Sequence, residues 1–349
     1  MGFIFPLLAQ TKILHLTFHT GCAKELEYVA EQLNLDLTTL YIHNLLPKEF
    51  DGVASGSALY NIGHDRAERI WKRHFELFDQ YDIIVTSDTV ALSRIFLQNN
   101  WKKPLIVWVC NRFDYSDRAT LDCCFPDREY FQLIRSIQHR PNVQIFSYTP
   151  FEHRYAKCMR KIDFWSDTIK PTGGNSHFLG SSSLIPKGVK REETFFVPAY
   201  HNDKILLDLS KKLTNLGIKN YQGRYAGPGD LIDFKGIVHI PYAWSNLALF
   251  ENWSNGLVYF IPSKKFLLEL AKNSKFFWSP PFIKKYLSDA EWYLPEHSKL
   301  FVYFDSWEDL VEKVRITDYA EMQERVHQFA IKHREETLVK WQRALFDFS

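Results

Sequence analysis

Histidine and carboxylate side chains placed just after apolar runs carry the most evident chemistry of this sequence. His19 follows the run Ile-Leu-His-Leu-Thr-Phe within Lys12 to Phe18. An imidazole titrates near working pH, so a histidine on such a turn suits proton transfer; a turn histidine bonded to backbone would read the same. Asp88 ends the run Ile83-Ile-Val-Thr-Ser. It offers a second base, or a carboxylate to orient His19, with an N-cap for a helix from Thr89 as the alternative.

The richest stretch is 236–263. Ile237 to Ile240 is a short apolar run that ends at Pro241, and Tyr242-Ala-Trp-Ser245 follows. Ser245 is a good N-cap for a helix from Asn246 to about Asn255, and Gly256 suits the left-handed C′ position behind it. Leu257 to Ile261 is a second apolar run, closed by Pro262-Ser263. Strand, helix and strand in this order predict two parallel, buried strands. Ligands of open α/β sheets bind beyond the carboxyl ends of the strands, where Tyr242, Trp244, Ser245 and Ser263 fall. Ser245 and Asn246 would supply hydroxyl, amide and helix N–H groups for an anion. Glu251 lies one and a half turns further in, too deep for a simple cap; a carboxylate that pairs locally is the plainer alternative. Arg224 and Lys235 are the nearest preceding cations, suited to a departing anion or equally to a solvated surface.

Alternating runs supply the elements that must position these residues. Strands are expected at Lys12–Phe18, Leu37–Ile42, Asp82–Thr86, Leu105–Val109 and Val143–Ser147, with helices at 23–33, 65–80, 89–99, 127–139 and 152–160. Residues 47–63, with three glycines, read as a loop. Such alternation is the signature of a parallel sheet covered on both faces. Residues 1–170 therefore form one Rossmann-like domain. Residues 171–193, rich in Gly, Ser and Pro, are a linker. A second βα series over 194–317 opens with the strand Thr194–Val197 and a helix at 203–216, and adds a helix at 264–272, a strand near Phe301–Phe304 and a helix capped by Ser306. Residues 318–349 form a C-terminal helical segment. Thr172-Gly-Gly-Asn-Ser follows no long strand and is not a phosphate loop by spacing.

Composition narrows the function classes. A net charge of +2, with no Lys/Arg block above three, excludes a general polyanion surface, so nucleic acid is not an expected partner. Five cysteines without a C-x-x-C pair suggest neither a disulfide framework nor a zinc site. The apolar start, Gly2 to Leu8, is too short for a signal or a membrane span and is broken by Pro6. The expectation is a cytoplasmic protein with at most peripheral membrane contact. The sequon at Asn252-Trp-Ser254 falls inside the expected helix and is discounted.

Over 236–263 the pattern Ser245-x5-Glu251-x4-Gly256-Leu257-x4-Pro262-Ser263 resembles the C-terminal domain of GT-B glycosyltransferases. In outline the resemblance covers most of the chain; its motifs are specific only over about 194–263. It implies an α/β fold of two Rossmann-like domains facing across a cleft, with the last helix packing back on the first domain. It also implies an enzyme that moves a sugar from a nucleotide diphosphate donor to a hydroxyl acceptor, whether glycan, lipid or small molecule. In that family a helix glutamate binds the donor ribose and a small-residue turn holds the phosphates. The positions that match are Glu251, with Ser245, Asn246 and Tyr242, and His201 and Asn202 meet the donor from the loop after Phe195–Val197. Inverting members place a base at the turn of His19, which Asp88 would assist or replace; Asn111, Arg112 and Asp114 read as acceptor contacts or as a polar turn. One departure matters: many retaining members carry a glutamate eight positions before this one, and Ala243 stands there. No Asp-x-Asp occurs, so metal independence is expected, with no cofactor beyond the nucleotide sugar. A nucleotide-sugar 2-epimerase of the same fold and a non-catalytic nucleotide-sugar-binding protein are the alternatives.

Overall fold

A computed structural model describes residues 11–45, 62–110, 113, 128–174, 183–199, 207–273 and 280–348. The chain forms two compact units, Met1–Pro171 with Glu336–Ser349, and Thr172–Glu335.

The first unit is a six-stranded parallel sheet in the order β2-β1-β3-β4-β5-β6. Its strands are β1 (Lys12–Thr17), β2 (Asp36–Tyr41), β3 (Ile83–Asp88), β4 (Leu105–Val109), β5 (Val143–Ser147) and β6 (Asp167–Thr168). Every residue of β3 and β4 is buried, as expected of central parallel strands covered on both faces. The helix Thr20–Leu33 ends at Asn34, whose left-handed φ of 54° lets its N–H close on Ala30. Two predicted helices begin differently from their expected form. The segment from Thr89 opens as a 3-10 turn, Val90–Ser93, before the helix Arg94–Gln98. The helix expected from Glu152 starts at Pro150, because Thr149 and Glu152 close a capping box around it. The end of the long helix Tyr319–Phe346 belongs to this unit. There Trp341 meets Trp108 edge-on, 5.1 Å between centroids, and Lys340 Nζ donates to Thr168 O at 2.8 Å.

The second unit is a five-stranded parallel sheet in the order β11-β10-β9-β7-β8. Its strands are β7 (Phe195–Pro198), β8 (Asn220–Gly223), β9 (Gly236–Val238), β10 (Tyr259–Pro262) and β11 (Phe301–Phe304). The predicted strand–helix–strand over 236–263 is present, with Tyr259 opposite Ile237 in parallel register. Gly256, at φ +71°, follows the C-cap Asn255 of the helix Leu247–Ser254. Ser245 is not its N-cap. Asn246 is, with Oδ1 accepting the Ala248 N–H at 3.0 Å. Within the described residues the helix expected at 203–216 is Leu209–Asn215, capped by Asp208. Gly173 packs so closely on this unit that a Cβ there would lie 2.4 Å from Phe250 O. The predicted loop 47–63 lies outside the described residues except for residues 62 and 63. No described helix is long and apolar enough to cross a membrane.

Candidate active site

Both sheets reverse direction once. In the first unit the chain winds one way through β1 and β2 and the other way through β3 to β6; in the second it reverses between β7 and β9. Ligands of such sheets bind beyond the carboxyl ends at the reversal. His19 and Asp88 lie at that point of the first unit, and the Tyr242–Asn246 turn lies at that point of the second.

His19 is exposed and is the N-cap of the helix Thr20–Leu33. Its Nδ1 accepts the Gly21 N–H at 3.0 Å. A neutral imidazole whose Nδ1 is an acceptor carries its proton on Nε2. In this posture His19 is a hydrogen-bond donor at its outer nitrogen, and proton abstraction through the ring requires release from the cap. Asp88 is buried and holds a φ of +82°, a conformation that a non-glycine residue adopts only where its surroundings over-determine it. It does not cap the next helix; Thr89 does, accepting the Ala91 N–H. The Asp88 carbonyl accepts the Cys110 N–H at 2.9 Å, so the strained residue is tied to the end of β4.

Two thiols that sequence reasoning passed over complete this place. Cys22 and Cys110 are buried neighbours, and the Cys110 thiol donates to Trp108 O at 3.4 Å. Cys110 beside it, with help from His19, lowers the Cys22 thiol against the upward push of burial. Burial drives Cys110 well above its ordinary value. Their spacing of 88 positions gave no local signal.

In the second unit Glu251 is buried on the helix Leu247–Ser254 and is not part of its cap. Tyr225, just past the end of β8, faces it. Burial first, and then the Glu251 charge, raise the Tyr225 hydroxyl, while a hydrogen bond to Asn252 works against them. Asn252 Nδ2 also donates to the Tyr259 hydroxyl. Tyr242 is half-buried, its hydroxyl raised by burial, and its ring stands edge-on to His239 at 5.8 Å. His239 leans on Trp292 at 4.6 Å and is pushed down to about 3 by burial, so it is neutral at working pH. Ser245 is half-buried beside the cap. The helix N-terminus itself holds a carboxylate: Glu291 Oε2 accepts the Asn246 N–H at 2.8 Å.

Sequence-predicted residues separate accordingly. Tyr242, Ser245, Asn246 and Glu251 are brought to one end of one sheet, and Arg224 is exposed directly after β8, next to Tyr225. Lys235 is at the wrong end. It precedes β9, at the amino ends of the strands, with Nζ over the Phe195 and Tyr319 rings at 5.7 and 5.0 Å. His201, Asn202, Asn111, Arg112 and Asp114 lie outside the described residues. Tyr225, Asn252 and Glu291 were missed. Among the described residues no group of three or more His, Cys, Asp or Glu side chains is placed to hold a metal ion.

No protein-family model matches this sequence, and no curated protein matches it. Solved structures do match in fold. Os79 from O. sativa, in complex with UDP, superposes with a TM-score of 0.55 at 11% identity, covering 97% of this chain and 100% of that one. The same protein in complex with U2F and trichothecene gives 0.52 at 11% identity, with the same coverage. T4 phage β-glucosyltransferase also matches, at a TM-score of 0.46 and 10% identity over 97% and 99% of the chains. The fold is thus two Rossmann-like α/β units of the GT-B type, as the resemblance over 236–263 implies.

Proposed function

We propose that this protein is a glycosyltransferase that moves a sugar from a nucleoside diphosphate donor to the hydroxyl of a carbohydrate or other acceptor. The observation that carries this reading is the convergence of Tyr242, Asn246 and Glu251 at the reversal point of the second sheet, in a chain of which 97% is covered by the match to the fold of Os79. Os79 is described with UDP, which supports a uridine nucleotide as the first donor to try.

The donor belongs to the second unit. Glu251 accepts hydrogen bonds from the ribose hydroxyls, a task for a carboxylate kept out of bulk water. Tyr225 and Tyr242 offer ring faces and edges beside it. Ser245 and the remaining N–H groups of the helix start take the phosphates, with Arg224 and the loop of His201 and Asn202 as further donor contacts. Acceptor activation belongs to the first unit. His19, freed from its cap, takes the acceptor proton as the new glycosidic bond forms and the nucleoside diphosphate leaves; the buried Asp88 orients it or stabilises its charged form. The reaction needs no cofactor and no metal in this reading, and the protein works in the cytoplasm.

A thermal-shift screen against UDP, GDP, CMP and dTDP sugars tests the proposal. A ligand that binds only the folded chain raises its melting temperature by mass action, so the true donor stands out. Release of nucleotide from that donor, accelerated by an acceptor, is the expected second result. A flat screen across all four classes overturns the reading.

A further inference from the structure

We propose that His15, Ser87 and Thr17 are positioning residues that set His19 and Asp88 against each other at the end of the first sheet; this rests on the transferase reading. The three side chains form one buried row of hydrogen bonds across β1 and β3. His15 Nε2 lies 2.8 Å from Ser87 Oγ. Ser87 Oγ donates to Thr17 Oγ1 at 2.8 Å. Thr17 Oγ1 accepts the backbone N–H of His19 at 3.1 Å, and its own hydrogen faces His19 O at 3.5 Å.

The direction of the row follows from donor counting. Ser87 has one hydrogen and gives it to Thr17, so it must accept from His15, whose proton therefore sits on Nε2. His15 is then neutral, consistent with burial pushing it down to about 3. Its Nδ1 is buried with no hydrogen-bond partner among the described residues. Such an atom is costly, and a parallel sheet does not require it. Leu14, Leu16, Ile84 and Val85 beside it show what the core of these strands otherwise uses.

What the row adds is a link where the backbone pairing has stopped. The β1–β3 register ends at Leu16 opposite Thr86. One residue further, the Thr17–Ser87 hydrogen bond is a side-chain tie. Thr17 is two residues before His19, and Ser87 immediately precedes the strained Asp88. The tie therefore fixes the spacing of the two proposed chemical groups, and His15 holds the tie in its donating direction.

The test uses the full chain with ¹⁵N-labelled histidine and the donor found in the thermal screen. Thr17→Val keeps shape and branching but removes the oxygen; Ser87→Ala breaks the same row one bond earlier; Thr17→Ser keeps the hydroxyl. The expected result is that the His19 ring nitrogens shift in Thr17→Val and Ser87→Ala. In both, kcat falls about ten- to a hundredfold, the cost of ångström-scale misplacement, with donor affinity unchanged. Thr17→Ser restores both readouts. His19 resonances that coincide with wild type in the first two variants overturn the proposal, as does a Thr17→Ser variant that falls as far as Thr17→Val. If Thr17→Val does not fold, Ser87→Ala carries the same readouts. A wild-type chain that transfers nothing overturns the transferase reading alone, because the His19 nitrogen shifts report positioning without turnover.

Discussion

The Asn246 N–H donates to the Glu291 carboxyl group at 2.8 Å, so the helix start proposed to hold the donor phosphates already faces a buried acidic side chain. A carboxylate suits this place for the same reason a phosphate does: the first-turn N–H groups and the helix dipole favour anions. Glu291 thereby supports the Tyr242–Asn246 turn and at the same time opposes a second anion beside it.

Replacing Glu291 with Gln keeps an acceptor oxygen and removes the ionisable group. Nucleoside diphosphate affinity is expected to rise roughly two- to fivefold, matching a helix-end charge effect of about 0.3–1 kcal/mol, with a comparable loss of folding stability. Titration calorimetry and urea unfolding read the two effects separately. Unchanged affinity would place the phosphates away from this helix start.

Glu251 is the residue proposed to hold the donor ribose. Glu251→Ala is expected to weaken nucleotide binding by about 1–3 kcal/mol, the cost of leaving buried hydrogen-bonding groups without their partner. Calorimetry on the folded variant checks it. An affinity equal to wild type removes Glu251 from the ribose and leaves it a neighbour of Tyr225 only.

The parts of the fold that were legible in the sequence are those where burial on both faces writes a continuous apolar run, such as Leu105–Val109 and Leu257–Ile261. Strand β8, Asn-Tyr-Gln-Gly, is a half-exposed edge strand without such a run, and the two-residue β6 is too short to write one. At the helix start, Ser245 and Asn246 are both good caps. The choice was made by Glu291, 45 positions away, which takes the Asn246 N–H, while Asn246 Oδ1 reaches Ala248. Glu251 was visible because its depth in the helix ruled out a cap. Tyr225 and Cys22 were not, because what marks them is a neighbour brought by the fold. Asp88 looked like a cap from its place before Thr89, but Thr89 accepts the Ala91 N–H and Asp88 takes a left-handed backbone instead.

Glu152 makes the first unit pH-sensitive. Burial pushes its carboxyl up to about 8, against hydrogen bonds from Thr149 that favour the charged form. A raised carboxyl binds its proton more tightly in the folded state, so its contribution is full below the unfolded value near 4.3 and is lost as pH rises through about 8. Urea unfolding of the wild type is expected to show stability falling between those limits. Glu152→Gln, which cannot ionise, should flatten that slope; an equal slope in the variant assigns the dependence to another group.

His19 carries the last prediction, and its cap gives it two separable effects. His19→Ala removes the acceptor for the Gly21 N–H, which should cost about 0.5–2 kcal/mol of stability as an N-cap loss. If His19 is also the base, kcat should fall about 10²–10⁴-fold, with donor affinity nearly unchanged because the proposed donor site is on the other unit. His19→Asn separates the two, because asparagine caps a helix well and is no base at neutral pH. It should recover most of the stability and none of the rate, and the acid limb of the kcat/KM profile should vanish with the imidazole. A variant that caps, folds and still transfers within a few-fold of wild type would move the proton to Asp88, a strained, buried carboxyl group at the same end of the sheet.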